Sequence, residues 1–263
     1  MRPLSFSLIW FSFREDADCL LQSVRSARHH APASPRLIVQ DAAHPLPLEI
    51  QAQLRGMDCQ VESDFVDRGG NLNGLDHFAH QLAWLDAAAS RATTRDPSAG
   101  WVVKIDSDTV LNGPLESWIG EASADTAAVC AVQPTWWFQG PCYAVQASRL
   151  AYLRGYLADH PQALRECAPK YPEDTCLGHL IAAAYGPKSI LALPGGHSST
   201  LFQGLQISHY DLAKWPPFDL YEAFRIVHFG NRGSLPPHMP DSVRRLTAAG
   251  VMKRYLDHTG LAP

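Results

Sequence analysis

No stretch of this sequence reaches the roughly 18–20 uninterrupted apolar residues that a membrane-spanning helix needs. The amino-terminal MRPLSFSLIWFSF is short, is broken by serines and lacks a small-residue cleavage site. It runs directly into Arg14, Glu15 and Asp16, so it reads as neither an anchor nor a secretory signal. No Lys/Arg-rich run stands out and the net charge is −4, which argues against nucleic acid as a partner. There is no N-x-S/T sequon. None of the six cysteines (Cys19, Cys59, Cys130, Cys142, Cys167, Cys176) stands in a C-x-x-C pair, and most have apolar neighbours. That pattern favours reduced core thiols over disulfides or a zinc site. Internal repeats and low-complexity tracts are absent too. The expectation is a soluble, cytoplasmic protein, with a peripheral membrane contact left open.

What is present is a core. With 263 residues, 46% of them hydrophobic, the chain can build one large domain. Residues 4–13, 36–41, 59–66 and 101–106 read as strands. Residues 16–29, 47–56 and 75–90 read as helices, the first with Leu20, Leu21, Val24 and Ala27 at helical spacing. Strands alternating with helices over the first ~120 residues predict an α/β fold with a mixed, mostly parallel sheet flanked by helices. The run WVVKID is nearly continuous in apolar residues, as expected of a strand covered on both faces. Further on, TAAVCAVQPTWWFQGPCYAV suggests two strands around a Trp-rich turn. ASRLAYLRGYLADH and PEDTCLGHLIAAAYG read as helices, and KSILALPGG as a strand and turn. From Gly195 onward, Gly, Pro, His and aromatics predict loops packed over a site. One domain, 1–263, is the economical reading.

The stretch GWVVKIDSDTVLNG carries the chemistry. A buried strand ends in two aspartates separated by one serine. Asp and Ser at a strand end can be ordinary turn formers. In extended chain, however, Asp106 and Asp108 point the same way and offer two carboxylates to one point. Adjacent carboxylates repel unless a cation or proton lies between them. A hard divalent ion, Mg²⁺ or Mn²⁺, prefers such oxygen ligands and commonly bridges to phosphates. Open α/β sheets bind ligands at the carboxyl ends of their strands. Lys104, the single charge inside the buried run, needs a partner, and either an acidic neighbour or a donor phosphate would serve. RGGNLNG lacks the G-x-G-x-x-G spacing of a dinucleotide site, but its glycines permit close backbone approach.

With the D-x-D, GPCYAVQASRL and PEDTCLG in this order, the sequence resembles the GT-A glycosyltransferases, and within them the fringe-type β-1,3-glycosyltransferases. The resemblance spans residues ~4–232 in order of elements. It implies a GT-A fold, with residues 1–120 as the nucleotide-sugar half and 121–263 as the acceptor half. It implies a UDP-sugar donor, a carbohydrate or glycoconjugate acceptor, and Mn²⁺ or Mg²⁺ as cofactor. Asp108 would ligate the metal directly, Asp106 would reach the ribose or the metal's water shell, and His228 in RIVHFG would be a third ligand. Asp174, ahead of Glu173, would be the general base of an inverting transfer. Phe11, Ser12 and Phe13 would lie near the nucleobase and Asp41 near base or ribose. Arg68, Asn71 and Gly74 would line the nucleotide, with Lys104, Asp106 and Ser107 in the same pocket. Trp136 and Trp137 would offer an acceptor platform. A retaining transferase of the same fold, or a nucleotide- or sugar-binding protein without turnover, are the alternatives.

Overall fold

Even and odd residues of the first strand go to two different cores, and this fixes the layering. Ser5–Ser12 forms β1. Leu8 and Trp10 pack with the helix Ala17–His30 (α1), while Ile9 and Phe11 pack with Phe78, Leu82 and Leu85 of the helix Leu75–Ala92 (α3). The computed structural model describes residues 4–64, 75–92, 100–132, 138, 140–167, 171–197, 204–208, 218–229 and 241–261. Beside β1 lie Arg36–Asp41 (β2) and Gly100–Ile105 (β4), and Cys59–Asp64 (β3) pairs with β2, all parallel. β2 and β4 are buried along their whole length because helices cover both faces. Leu48–Gly56 (α2) lies on the α1 face through Ile50 and Leu54.

The remaining strands are Thr109–Leu111 (β5), Ala128–Val132 (β6), Cys142–Gln146 (β7), Ile190–His197 (β8), Gly204–Ser208 (β9) and Phe224–His228 (β10). The ten strands run β3-β2-β1-β4-β7-β6-β8-β9-β10-β5. The antiparallel pairings are β4–β7, β6–β7 and β10–β5, and the other six are parallel. The sheet is therefore mixed and mostly parallel, as expected. Helices Glu116–Ile119 (α4), Ala147–Asp159 (α5), Pro161–Cys167 (α6), Glu173–Tyr185 (α7) and Asp241–His258 (α8) complete the flanking layers. Among the described residues, no helix is long and apolar enough to cross a membrane. All six cysteines are buried thiols.

One connection shapes the site. β4 and β5 are separated only by Asp106, Ser107 and Asp108, yet β5 ends the strand order, six neighbours away. In a flat sheet those strands would be about 29 Å apart. The chain from Ile105 to Thr109 spans at most roughly 14 Å. The second part of the sheet must therefore curl back over the carboxyl end of β4, which places β10 beside the acidic turn.

The carboxyl-terminal part departs from expectation. Residues 195 to the end were expected as loops, but they supply the end of β8, all of β9 and β10, and the 18-residue α8. Val251, Met252, Tyr255 and Leu256 of α8 pack with Val110, Ile207, Phe224 and Val227 in a third core. The two new strands are five residues each. Their apolar content is too short to stand out among Gly, Pro and His, and only pairing with β8 and β5 makes them strands.

Gly178 shows why the PEDTCLG segment ends in glycine. A methyl group there would stand 2.8 Å from three carbons of Phe138. In a free helix Gly→Ala stabilises by up to about 1 kcal/mol. Overpacking costs about 1–3 kcal/mol. Gly178→Ala is therefore expected to be net destabilising, seen as a lower urea midpoint.

His30 closes α1, and its Nε2 is buried with no hydrogen-bond partner among the described residues. Burial, with His29 beside it, pushes its pKa down from 6.5 to about 4. Below pH 6.5 the unfolded chain takes a proton that the folded chain refuses until about pH 4. Stability should thus fall as pH drops through that window, by on the order of 2 kcal/mol after allowing for partial exposure. His30→Leu is expected to flatten this acid limb in urea titrations at pH 7, 5.5 and 4.5.

Candidate active site

The two aspartates converge through a turn, not through the pleat of a strand. β4 stops at Ile105, and the Thr109 N–H donates to the Asp106 carbonyl at 3.1 Å. The expectation of an extended Asp-Ser-Asp is corrected here: the chain must reverse at once to reach β10. Contacts from four directions fix the turn. The Asp106 N–H donates to the Pro141 carbonyl at 2.8 Å, and the Phe229 N–H to the Asp108 carbonyl at 2.9 Å. From α1, the Ser23 hydroxyl donates to the Asp106 carbonyl at 3.3 Å and accepts from Trp10 Nε1 at 2.9 Å. Ser26, one helical turn on, accepts the Leu111 N–H at 3.1 Å. The Ser107 hydroxyl donates to Ser12 at 3.2 Å, both buried. Four partner segments holding a three-residue turn leave its backbone little freedom to reorganise.

Antiparallel pairing of β10 with β5 sets His228 opposite Thr109, and hence beside the turn. Ligand atoms of Asp106, Asp108 and His228 all lie within 4.8 Å of one another. His228 Nε2 is 3.4 Å from Asp108 Oδ1, while Nδ1 meets the Ser208 hydroxyl at 3.2 Å. Parallel pairing of β9 and β10 puts Ser208 there. A hydrogen bond on the far ring nitrogen is the usual way an imidazole is oriented toward a metal. Burial disfavours the imidazolium, but Asp108 outweighs it and holds His228 above its ordinary range. Burial likewise pushes Asp108 up, and His228 more than offsets this, leaving its carboxyl below the usual range. Two carboxylates and one imidazole are a donor set suited to Mn²⁺, and its oxygens also suit Mg²⁺. The residues present fit such an ion.

Lys104 answers the question of its buried charge. Its side chain is 1% exposed, whereas Asp106 and Asp108 are each 30% exposed, so the carboxylates face solvent and the ammonium does not. It donates to Asp106 Oδ1 and, at 2.7 Å, to the Gly140 carbonyl, and lies over the Tyr143 ring. Its acidic neighbour is thus Asp106. Burial disfavours its charge, but Asp106, Glu173 and Asp174 together hold its pKa above the ordinary value.

Asp174 lies in the first turn of α7, after Pro172, with Oδ1 accepting the Thr175 N–H at 2.7 Å. Burial pushes its carboxyl above the usual range. Lys104 and the N–H groups of Thr175 and Gly140 restrain the rise, while Asp106 adds to it. A carboxylate made more basic by its surroundings suits a general base. Gly140 sits so close that a Cβ would stand 2.4 Å from Asp174 Oδ2, so a larger residue there would displace that carboxylate. Gly140 and Ser208 were not singled out from the sequence. Their roles depend on contacts 34 and 20 residues away along the chain.

Other expected residues divide. Phe11 is 5% exposed and packs in the α3-side core, so its ring is spent there, while Phe13, just beyond β1, is half-buried. Ser12 accepts from Ser107. Asp41 is buried and takes the turn role: Oδ1 accepts the N–H groups of Ala43 at 2.7 Å and His44 at 3.2 Å. Arg68, Asn71, Gly74, Trp136 and Trp137 lie outside the described residues.

The mixed, mostly parallel sheet flanked by helices matches the fold of GT-A glycosyltransferase structures. The bifunctional glycosyltransferase WbbM, in its apo structure, is similar over 100% of this chain and 53% of its own, at TM-score 0.56 and 8% identity. Apo GlyE of Streptococcus pneumoniae TIGR4 is similar over 98% of this chain and 64% of its own, at TM-score 0.53 and 13% identity. The chain thus spans about half to two-thirds of the length of these structures. No protein-family model and no curated protein matches the sequence.

Proposed function

We propose that this chain is a metal-dependent glycosyltransferase that moves a sugar from a nucleoside-diphosphate donor to a hydroxyl of a carbohydrate or glycoconjugate acceptor. The observation that carries this reading is the meeting of Asp106, Asp108 and His228 within 4.8 Å at the mouth of a GT-A fold. Asp108 and His228 would hold Mn²⁺ or Mg²⁺, with Asp106 on the ion's water shell or the donor ribose. The bound ion supplies positive charge where the departing diphosphate develops its negative charge. The fringe-type resemblance supports UDP as the nucleotide and inversion as the outcome. In that reaction Asp174 takes the proton from the acceptor hydroxyl. The acceptor oxygen forms a bond to the anomeric carbon from the face opposite the diphosphate, whose own bond to that carbon breaks.

Thermal unfolding with UDP, GDP, CDP and ADP, each with Mn²⁺ and with EDTA, tests the donor half. One nucleotide, UDP in this reading, is expected to raise the midpoint with Mn²⁺ and not with EDTA. No shift with any nucleotide would leave Asp106 and Asp108 as turn residues.

A further inference from the structure

Four carboxylates from two distant segments approach one sealed ammonium. Asp106 touches Lys104 directly, and Glu173 and Asp174 act on it through space. The same lysine holds the Gly140 carbonyl, and Gly140 in turn abuts Asp174 and donates its N–H to that side chain. A continuous chain of contacts, Asp106–Lys104–Gly140–Asp174, therefore joins the acidic turn after β4 to the first turn of α7. Asp108, the fourth carboxylate, also feels the ammonium. The lysine lies behind these groups, on the Tyr143 ring, and not at the solvent-facing mouth.

We propose that Lys104 is a positioning residue that locks the metal-binding turn to the segment carrying the base and keeps Asp174 in its carboxylate form. This rests on reading Asp174 as the base. The lysine does so without touching the donor, since both its hydrogen-bond partners are protein groups and its surface is covered. Groups facing Asp174 are Lys104 from β4, Asp106 from the turn, Tyr143 from β7, and Glu173 from its own helix. Three of the four disfavour its ionisation or add no positive charge. Lys104 is the one cation among them.

The test is the titration of Asp174 itself, followed by NMR of ¹³C-carboxyl-labelled aspartate and assigned with Asp174→Asn. In Lys104→Met, similar in shape and uncharged, its midpoint is expected to rise by about one pH unit or more, the size of effect an adjacent cation has on a carboxyl. Lys104→Arg is expected to restore most of it. Lys104→Met leaves Asp106 without its cation and can fail to fold. Lys104→Met/Asp106→Asn against Asp106→Asn alone then gives the same comparison with that charge removed. In active protein the acid limb of the transfer rate should move the same way. A midpoint unchanged in these comparisons overturns the proposal even if wild type transfers sugar. A raised midpoint in a protein that binds no nucleotide upholds the lysine's hold on Asp174 and removes the transferase reading.

Discussion

Asp174→Asn is expected to slow sugar transfer by about 10²–10⁴-fold while metal-dependent nucleotide binding stays near wild type. Asparagine keeps the shape, and its side-chain oxygen can still accept the Thr175 N–H, so α7 keeps its start. What it loses is the ability to take a proton, and with it one negative charge facing Lys104. Asp106 remains to satisfy that ammonium. The loss should therefore fall on kcat and leave donor KM little changed, as for an interaction made only in the transition state. Glu173→Gln is expected to do less, since the close contact with Gly140 belongs to Asp174. The anomeric configuration of the product, read by NMR, completes the measurement. An inverted product lost with Asp174→Asn supports the base. Undiminished transfer with retained configuration would replace it by the retaining reading.

The sequence made some of this legible and hid the rest for identifiable reasons. β1, β2 and β4 showed themselves because strands buried on both faces carry dense apolar runs, and α1 because its buried residues repeat at helical spacing. The acidic pair was visible as residues but not as geometry. Its convergence depends on a turn, which depends in turn on β5 pairing with a strand more than 110 residues away. His228 could be placed beside the aspartates only by resemblance, because the Thr109–His228 register is a property of the sheet. Lys104 was the clearest local signal: a charge in an apolar run must have a partner. That its partners are Asp106 and the Gly140 carbonyl came from the fold alone. α8 stayed hidden because charged residues and Gly250 dilute its apolar stripe.

Asp108→Ala is expected to remove the nucleotide-dependent gain in stability. A ligand that binds only the folded state at a hundredfold excess over Kd adds about 2.7 kcal/mol. For this protein that gain should need both Mn²⁺ and the nucleotide, and should vanish in the variant as it does with EDTA. The variant should still fold. The Phe229 N–H and the Ser23 hydroxyl bond to main-chain carbonyls of the turn, which alanine retains. The carboxylate itself is 30% exposed, so its removal opens no core cavity. The site without Asp108 is also less in need of an ion. Asp106, Asp108, Glu173 and Asp174 crowd around Lys104, with His228 beside Asp108. In the proposed reading a divalent cation would add positive charge at this site and carry the diphosphate with it. Deleting one carboxylate removes a ligand and part of the negative charge together. If Asp108→Ala kept the full Mn²⁺-dependent shift, the ion would have to be held elsewhere, and the acidic turn would be a device for reversing the chain between β4 and β5.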